Sequence, residues 1–260
     1  EGERPAADPL LRFVASGTQG RVSITAQDVT RLRWLEQTFS RYVPAAVIEQ
    51  MSQMSAEDFL RTERRVLTVL FADLRGFTSM SQHLAPEQVQ EVVNSFLGNM
   101  VRCIERLAGT VDKFVGDEVM ALFGAPVQQP DHALRALVCG LEMQRAHTRW
   151  MAERKTAGMP CAGMGVGLAT GPVVVGNIGT DTRVDYTALG HTVNLAARLC
   201  GSAAAGEVLT VRATHGAALK AVPHYGGGVP MPRMEFAAKG HMRFKNVSEP
   251  VEVILASASG

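Results

Sequence analysis

Residues 110–123 of the chain read TVDKFVGDEVMALF. The pattern predicts two strands, Thr110–Val115 and Glu118–Phe123, with only two residues between them. These two residues, Gly116-Asp117, form a Gly-X pair, which favours a two-residue type II′ turn. The stretch is therefore interpreted as a β-hairpin that carries an acidic residue, Asp117, at its tip.

A long helix is predicted to precede this hairpin. Pro86 suits the first turn of a helix, and apolar residues recur at helical spacing from Val89 to Leu107. Gly109 suits the end of that helix. Further upstream, the Val- and Leu-rich stretch Arg65–Ala72 predicts a buried strand.

A second helix is predicted after the hairpin, beginning at Pro130-Asp131. With the strand that follows it, the elements run in the order β-α-β-β-α-β. We therefore expect an α+β, ferredoxin-like antiparallel sheet with helices on one face and extra C-terminal strands. The remaining elements are expected at 162–169, 173–176, 181–188, 208–211, 235–238 and 251–255 as strands and at 192–201 as a helix.

Three regions are expected along the chain. Residues 1–26 are interpreted as the tail end of an upstream region with one short strand at Arg21–Thr25, and residues 62–256 as the main domain. Residues 27–61 have apolar residues at coiled-coil-like spacing and are interpreted as a helical linker. Two roles for it remain open: a dimerising linker that passes on a signal, or a helix that covers the domain's own surface.

The composition excludes several classes of protein. The chain has 260 residues, 46% of them hydrophobic, and a net charge of +1, which fits a globular domain and argues against a nucleic-acid-coating protein. No apolar run approaches the roughly 18–20 residues of a membrane helix. Because the chain starts at Glu1 without a leader, we expect a fragment of a cytoplasmic catalytic region with a regulatory domain upstream.

An acidic pair emerges from this topology. The hairpin turn and the end of the first main-domain strand lie at the same edge of the sheet, so Asp73 and Asp117 become neighbours. Two adjacent carboxylates repel each other unless a cation or a proton lies between them. Mg²⁺ is usually held by one or two carboxylates together with substrate phosphates, and two such ions can activate an attacking oxygen. The pair therefore predicts a divalent-cation site.

Four stretches together resemble the catalytic domain of the class III nucleotide cyclases. They are FADLRGFTS (71–79), KFVGDEVMALFG (113–124), GHTVNLAARL (190–199) and FKNVSEPVEV (244–253). The similarity covers roughly Thr62–Leu255. It implies the same ferredoxin-like fold and an adenylate cyclase that converts ATP to 3′,5′-cyclic AMP and pyrophosphate in signal transduction. It also implies two Mg²⁺ or Mn²⁺ ions per active site and a head-to-tail homodimer whose active sites lie at the subunit interface.

The resemblance assigns roles to individual residues. Asp73, Asp117 and the carbonyl of Leu74 would be metal ligands, and Arg198 would stabilise charge at the α-phosphate. The substrate-binding residues would be Gly76, Phe77 and Thr78 after the first strand, Lys113 and Thr187 at the base, and Lys245 at the β- and γ-phosphates. Asn194, which would orient the ribose, and Arg198 would be the catalytic residues. Asn194 and Arg198 stand four residues apart, which places them on one face of a helix. Lys239 is a nearby competitor for the role of Lys245.

The base-reading residues bear on substrate choice. The ammonium group of Lys113 donates hydrogen bonds, which suits N1 of adenine because that atom is an acceptor. In guanine, N1–H is a donor and is matched by a carboxylate instead. Thr187 stands where many adenylate cyclases have Asp. In this it resembles a Thr-bearing subgroup with bicarbonate-responsive members.

The alternatives are a guanylate cyclase, a diguanylate cyclase, or a catalytically silent nucleotide-binding dimerisation module. The diguanylate cyclase is disfavoured because residues 116–119 lack that family's second Gly and aromatic residue, and the silent module because the acids, Asn194 and Arg198 are all present.

Overall fold

The structure is a computed structural model that describes residues 10–18, 21–31, 62–180, 182–245 and 247–258. The chain divides into two compact units, Glu1–Glu49 and Gln50–Gly260. The first contains an antiparallel hairpin of β1 (Leu11–Thr18) and β2 (Arg21–Asp28). The predicted strand at 21–25 is thus part of β2, whereas β1 was missed. Because β2 continues to Asp28, the linker helix does not begin at residue 27, and most of the predicted linker lies outside the described residues.

The second unit is built on an eight-stranded sheet. Its order is β4-β5-β3-β6-β8-β10-β9, and β7 pairs with β6. The first four strands in this order have the ferredoxin-like arrangement, and every strand pair is antiparallel except β6 with β8, which is parallel. The strands are β3 (Thr62–Leu74), β4 (Thr110–Val115), β5 (Glu118–Phe123), β6 (Met164–Thr180), β7 (Arg183–Leu189), β8 (Val208–Val211), β9 (Met234–Met242) and β10 (Val251–Ala258).

Five α-helices belong to this unit within the described residues. They are α1 (Phe77–Ser81), α2 (Pro86–Arg106), α3 (His132–Thr156), α4 (His191–Ser202) and α5 (Arg212–Ala221). Helix α2 begins with Pro86 in its first turn, as predicted, and the side chain of Gln88 accepts a hydrogen bond of 3.0 Å from the Ala85 amide. The left-handed residue after α2 is Ala108, with φ 55°, rather than Gly109. Glycine is needed at position 109 because there is no room for a side chain: a Cβ there would lie 2.6 Å from the ring of Phe123.

Helices cover both faces of the sheet. Alternate residues of β3 point to opposite sides: Leu70 and Leu74 belong to the core formed with α2 and α3, whereas Val69 and Phe71 belong to a second core formed with α4. The α+β, ferredoxin-like class is confirmed. The expectation of helices on one face holds for α2 and α3 but is wrong for α4, which packs on the other side.

Closely packed glycines fix the position of α4. A Cβ on Gly167 of β6 would lie 2.0 Å from the amide nitrogen of Cys200, and a Cβ on Gly165 would lie 2.8 Å from both the carbonyl oxygen of Ala203 and the Nε of Arg75. The glycines therefore let α4 and Arg75 approach the sheet closely. Strand β6 is continuous over 17 residues, where the sequence had predicted two separate strands.

Candidate active site

The hairpin tip and the end of β3 lie at the same edge of the sheet, as predicted. Strands β3 and β5 pair antiparallel with Ala72 opposite Val119, which brings Asp73 beside the turn between β4 and β5. This turn contains only Gly116 and Asp117, and Gly116 has φ 65°. A positive φ at the first turn residue is what the predicted type II′ turn requires.

Asp73 and Asp117 are close enough for the charge of one to act on the other. Burial, followed by the charge of Asp73, raises the pKa of Asp117 to about 6, while the backbone amides of Asp117 itself and of Leu74 oppose that rise by donating to its carboxylate. The structure thus brings together three residues that the sequence had assigned to one site: Asp73, Leu74 and Asp117. The two acids can be ionised at the same time only at an electrostatic cost.

Glu118 adds a third carboxyl group. Burial, then the charges of Asp73 and Asp117, raise its pKa to about 7, and Arg75 acts in the opposite direction. We call Asp73, Asp117 and Glu118 the acidic rim. Sequence reasoning missed Glu118; its position directly after the turn acid, as the first residue of β5, was the available signal.

Arg75 supplies a positive charge at this edge of the sheet. Its Nη2 lies 3.3 Å from Asp73 Oδ2 and 3.4 Å from the Sγ of Cys200 on α4. The side chain therefore links the acidic rim to the helix that lies on the second core. One positive charge against three carboxyl groups leaves the rim with a negative excess when it is ionised.

The rim has the chemistry of a hard-cation site. Its donors are carboxylate oxygens, the ligand type that Mg²⁺ and Mn²⁺ prefer. Within the described residues, no group of three or more His, Cys, Asp or Glu is arranged to hold an ion by itself. A pair of carboxylates completed by substrate phosphates is the usual arrangement for Mg²⁺, and Asp73 and Asp117 fit that arrangement.

A second cluster contains the two predicted base-reading residues. The hydroxyl of Thr187, on β7, donates a hydrogen bond of 2.7 Å to Asp112 Oδ2, and Lys113 Nζ lies 3.3 Å from Asp112 Oδ1. The side chain of Asp112 is fully buried, while that of Lys113 is 41% exposed. We call Asp112, Lys113 and Thr187 the base cluster. Sequence reasoning did not single out Asp112, although a charged residue beside Lys113 in a strand was the available signal.

Helix α4 presents the other two predicted residues together. Asn194 and Arg198 are both exposed, whereas Ala196, Leu199 and Cys200 are buried against the sheet. This is the division between faces that the four-residue spacing predicted. Because the glycines of β6 let α4 pack close to the sheet, they also fix the distance of Asn194 and Arg198 from the sheet.

The predicted phosphate-binding residues lie in two places. Gly76, with φ 71°, precedes α1, which begins with the half-buried Phe77 and the exposed Thr78. Lys245 is exposed in the turn between β9 and β10. Its competitor Lys239 forms an ion pair with Glu207, so of the two lysines Lys245 is the more available to an anion.

A comparison with protein families matches residues 61–250 to the adenylate and guanylate cyclase catalytic domain. The chain belongs to this family. The match thus covers seven of the eight strands of the sheet, β3 to β9, including both clusters and the polar face of α4.

The similarity extends to named relatives and solved structures. The chain is 34% identical over 170 residues to an adenylate cyclase of Anabaena cylindrica, covering 63% of this chain and 33% of that protein. It is 31% identical to adenylate cyclase 1 of Rhizobium meliloti, covering 63% of this chain and 25% of that protein. The chain thus spans a third or less of the length of these curated relatives.

Crystal structures with the same fold include enzymes of both specificities. The adenylyl cyclase CyaB from P. aeruginosa is 35% identical, with a TM-score of 0.68 over 77% of this chain and 98% of that one. The guanylyl cyclase Cya2 is 37% identical, with a TM-score of 0.66 over 76% of this chain and 94% of that one. Family membership therefore leaves the choice of purine to be argued from the residues. Within the described residues, no helix combines the length and apolar composition needed to cross a bilayer.

Proposed function

We propose that this cyclase domain is an adenylate cyclase that converts ATP to 3′,5′-cyclic AMP and pyrophosphate. The observation that carries the proposal is that Asp73 and Asp117 lie beside each other at one edge of the sheet, where the charge of Asp73 acts on Asp117. The repulsion within such a pair is relieved by divalent cations, and Mg²⁺ held by one or two carboxylates is usually bound by substrate phosphates as well. Two relatives of the chain are named adenylate cyclases, which supports the same conclusion.

The reaction is an in-line displacement at phosphorus. The ribose 3′-oxygen forms a bond to the α-phosphorus and loses its proton to water, and the bond from the α-phosphorus to the bridging oxygen breaks as pyrophosphate departs. Divalent cations held by Asp73, Asp117 and the Leu74 carbonyl would lower the pKa of the attacking hydroxyl and offset charge on the triphosphate. Arg198 donates to the α-phosphate oxygens as their charge grows, a role that suits a planar, permanently charged fork.

The remaining residues bind and orient the substrate. Lys113 donates to adenine N1, and Thr187 accepts from the adenine amino group. Asn194 orients the ribose, and Lys245 binds the β- and γ-phosphates. Gly76, Phe77 and Thr78 form the turn that approaches the triphosphate after β3. Each of these groups acts by fixing the 3′-oxygen and the α-phosphorus in line, which removes much of the entropic barrier.

We further propose that the active site is shared between two copies of the chain. The acidic rim would come from one subunit, and the base cluster with Asn194 and Arg198 from its partner. Mixing Asp117→Ala with Arg198→Ala would then restore part of the activity, because a heterodimer regains one complete site. If a mixture shown to contain heterodimer stays inactive, the shared site is contradicted.

A guanylate cyclase is the second candidate function. The uncharged Thr187 and the 37% identity to the guanylyl cyclase Cya2 favour it. Lys113 argues against it, because an ammonium donor faces the N1–H donor of guanine. The adenylate cyclase is therefore preferred.

Turnover assays with ATP and GTP, each with Mg²⁺ and with Mn²⁺, test the proposal. Cyclic AMP formed from ATP with a clear preference over GTP is the expected result. Faster formation of cyclic GMP from GTP would establish the alternative, and no product from either nucleotide would make the domain a silent binding module. A cytoplasmic location and an upstream regulatory domain complete the proposal for the longer protein.

A further inference from the structure

The side chain of Asp112 connects β4 to β7, two strands that do not pair with each other. Strand β4 is at the end of the sheet next to β5, whereas β7 pairs with β6. The ladder between β4 and β5 shifts register between Val111 and Lys113, so Asp112 is the extra residue of a β-bulge. A bulge redirects a side chain, and here the carboxylate meets Thr187 of β7 in the buried contact of the base cluster.

Three donors converge on this carboxylate. They are the hydroxyl of Thr187, the ammonium of Lys113 and the backbone amide of Ala188. Burial raises the pKa of Asp112, and all three donors counter the rise. Oδ1 faces the Lys113 ammonium and makes no hydrogen bond to the described residues beyond that ionic contact. Asp112 Oδ2 accepts the hydrogen bond of the Thr187 hydroxyl, and the ammonium of Lys113 beside Oδ1 favours the ionised carboxylate, which has no hydrogen of its own to donate.

This arrangement fixes the direction of the Thr187 hydrogen bond. A hydroxyl has one proton to donate and two lone pairs to accept with. In Thr187 the proton is committed to Asp112 at 2.7 Å, and the residue is only 6% exposed, which restricts rotation away from the carboxylate. What Thr187 still offers a ligand is therefore an acceptor.

The two purines differ at the atom that this acceptor would meet. Adenine carries a 6-amino group, which donates, whereas guanine carries a 6-oxo group, which only accepts. A site whose polar group is fixed in one direction rejects the mismatched ligand, because a buried acceptor is left facing another acceptor. A Thr187 free to turn would instead accommodate either purine.

We propose that Asp112 is a specificity-determining positioning residue: by holding the Thr187 proton, it makes Thr187 an obligate acceptor and selects 6-amino over 6-oxo purine nucleotides. The inference rests on the proposed function, since it assumes that Lys113 and Thr187 meet the base. Asp112 itself does not need to touch the nucleotide.

The test is the ratio of kcat/KM for ATP to kcat/KM for GTP. In Asp112→Asn, which keeps the shape but removes the charge, the ratio is expected to fall about tenfold or more, the size expected from one reoriented hydrogen bond. Thr187→Val should lower it similarly, and the double variant should add little further loss, because both changes act on one hydrogen bond. Asp185→Asn, an exposed acid on the same strand, is the matched control and should leave the ratio unchanged.

A purely structural role for Asp112 gives a different result. Loosening β4 from β7 would lower kcat/KM for ATP and for GTP by the same factor and leave the ratio constant, which would overturn the proposal. If Asp112→Asn lacks a cooperative thermal transition, the wild type is assayed with purine riboside triphosphate, which keeps N1 but lacks the 6-amino group. About tenfold lower kcat/KM than for ATP is then expected, and equal values would overturn the proposal.

The proposed function can fail separately. If the wild type turns over neither nucleotide, the same ratio is measured as Kd values for non-hydrolysable ATP and GTP analogues with Mn²⁺ present. A preference for the ATP analogue that Asp112→Asn abolishes would support the role of Asp112 without cyclase activity. The absence of any such preference in the wild type would contradict it.

Discussion

The acidic rim and the base cluster both contain buried or half-buried carboxyl groups. The two sites differ in which groups balance the negative charge of those carboxylates. In the base cluster, one carboxylate meets a hydroxyl, an ammonium and a backbone amide. In the acidic rim, three carboxyl groups face one another with Arg75 as the guanidinium beside them. In the first arrangement a cation and hydrogen-bond donors of the chain itself face a single carboxylate, whereas the second requires protons or cations from outside the chain.

This difference separates two kinds of functional residue. Carboxylates whose charge is left uncompensated mark the place where a cationic ligand would bind. A carboxylate whose donors are all supplied by the chain instead holds other side chains in place. We therefore expect that removing Asp73 or Asp117 ends the reaction, whereas removing Asp112 changes which nucleotide is used.

The largest effect is expected from Asp73→Ala and Asp117→Ala. Each removes a proposed cation ligand, and the loss of several kcal/mol of transition-state stabilisation should reduce turnover of ATP to background. The thermal transition should persist, because the removed carboxylate is electrostatically unfavourable in the metal-free protein. Glu105→Ala, an exposed acid on α2, is the control and should retain full turnover. Near-normal turnover in either rim variant would contradict the assignment.

The next effect concerns Arg198 on α4. Arg198→Ala should lower kcat by about 10³-fold, as expected of an arginine that stabilises charge on a transferring phosphoryl group. Because the side chain is exposed, the melting temperature should change little. Arg212→Ala, which removes an exposed arginine paired with Glu252, is the control. A fall of less than tenfold in kcat for Arg198→Ala would exclude a role in the transition state.

The smallest expected effect is that of pH on the free energy of unfolding. The pKa values of Asp117 and Glu118 are about 6 and about 7 in the folded chain, above the ordinary values of 3.8 and 4.5. The folded state therefore binds more protons between about pH 4 and pH 7, and its stability should fall as the pH rises through that window. After allowance for solvent screening, the loss is about 1 kcal/mol, a shift of a few degrees in melting temperature.

Divalent cations provide the check on that stability effect. At pH 8, Mn²⁺ should raise the melting temperature, whereas at pH 5 the rise should be much smaller because the rim is partly protonated. Asp117→Asn should abolish most of the Mn²⁺ effect at pH 8. An equal Mn²⁺ shift in wild type and Asp117→Asn would place the cation elsewhere.

Much of the fold and of the rim followed from the sequence because both depend on local rules. The Gly116-Asp117 turn fixes the hairpin, and the β-α-β-β-α-β order then determines which strand ends meet. The side of α4 could not be predicted, since it depends on glycines of β6 that remove side chains where the helix approaches. Glu118 and Asp112 were missed because their significance arises from charges and donors on other strands. For Asp112 the β-bulge also breaks the simple alternation of the strand.

The central claim is that Asp73 and Asp117 together hold divalent cations. Anomalous diffraction from crystals grown with Mn²⁺ and a non-hydrolysable ATP analogue tests it most directly. Anomalous peaks are expected within coordination distance of both carboxylates and of the triphosphate. Bound nucleotide with no peak between these two side chains would contradict it.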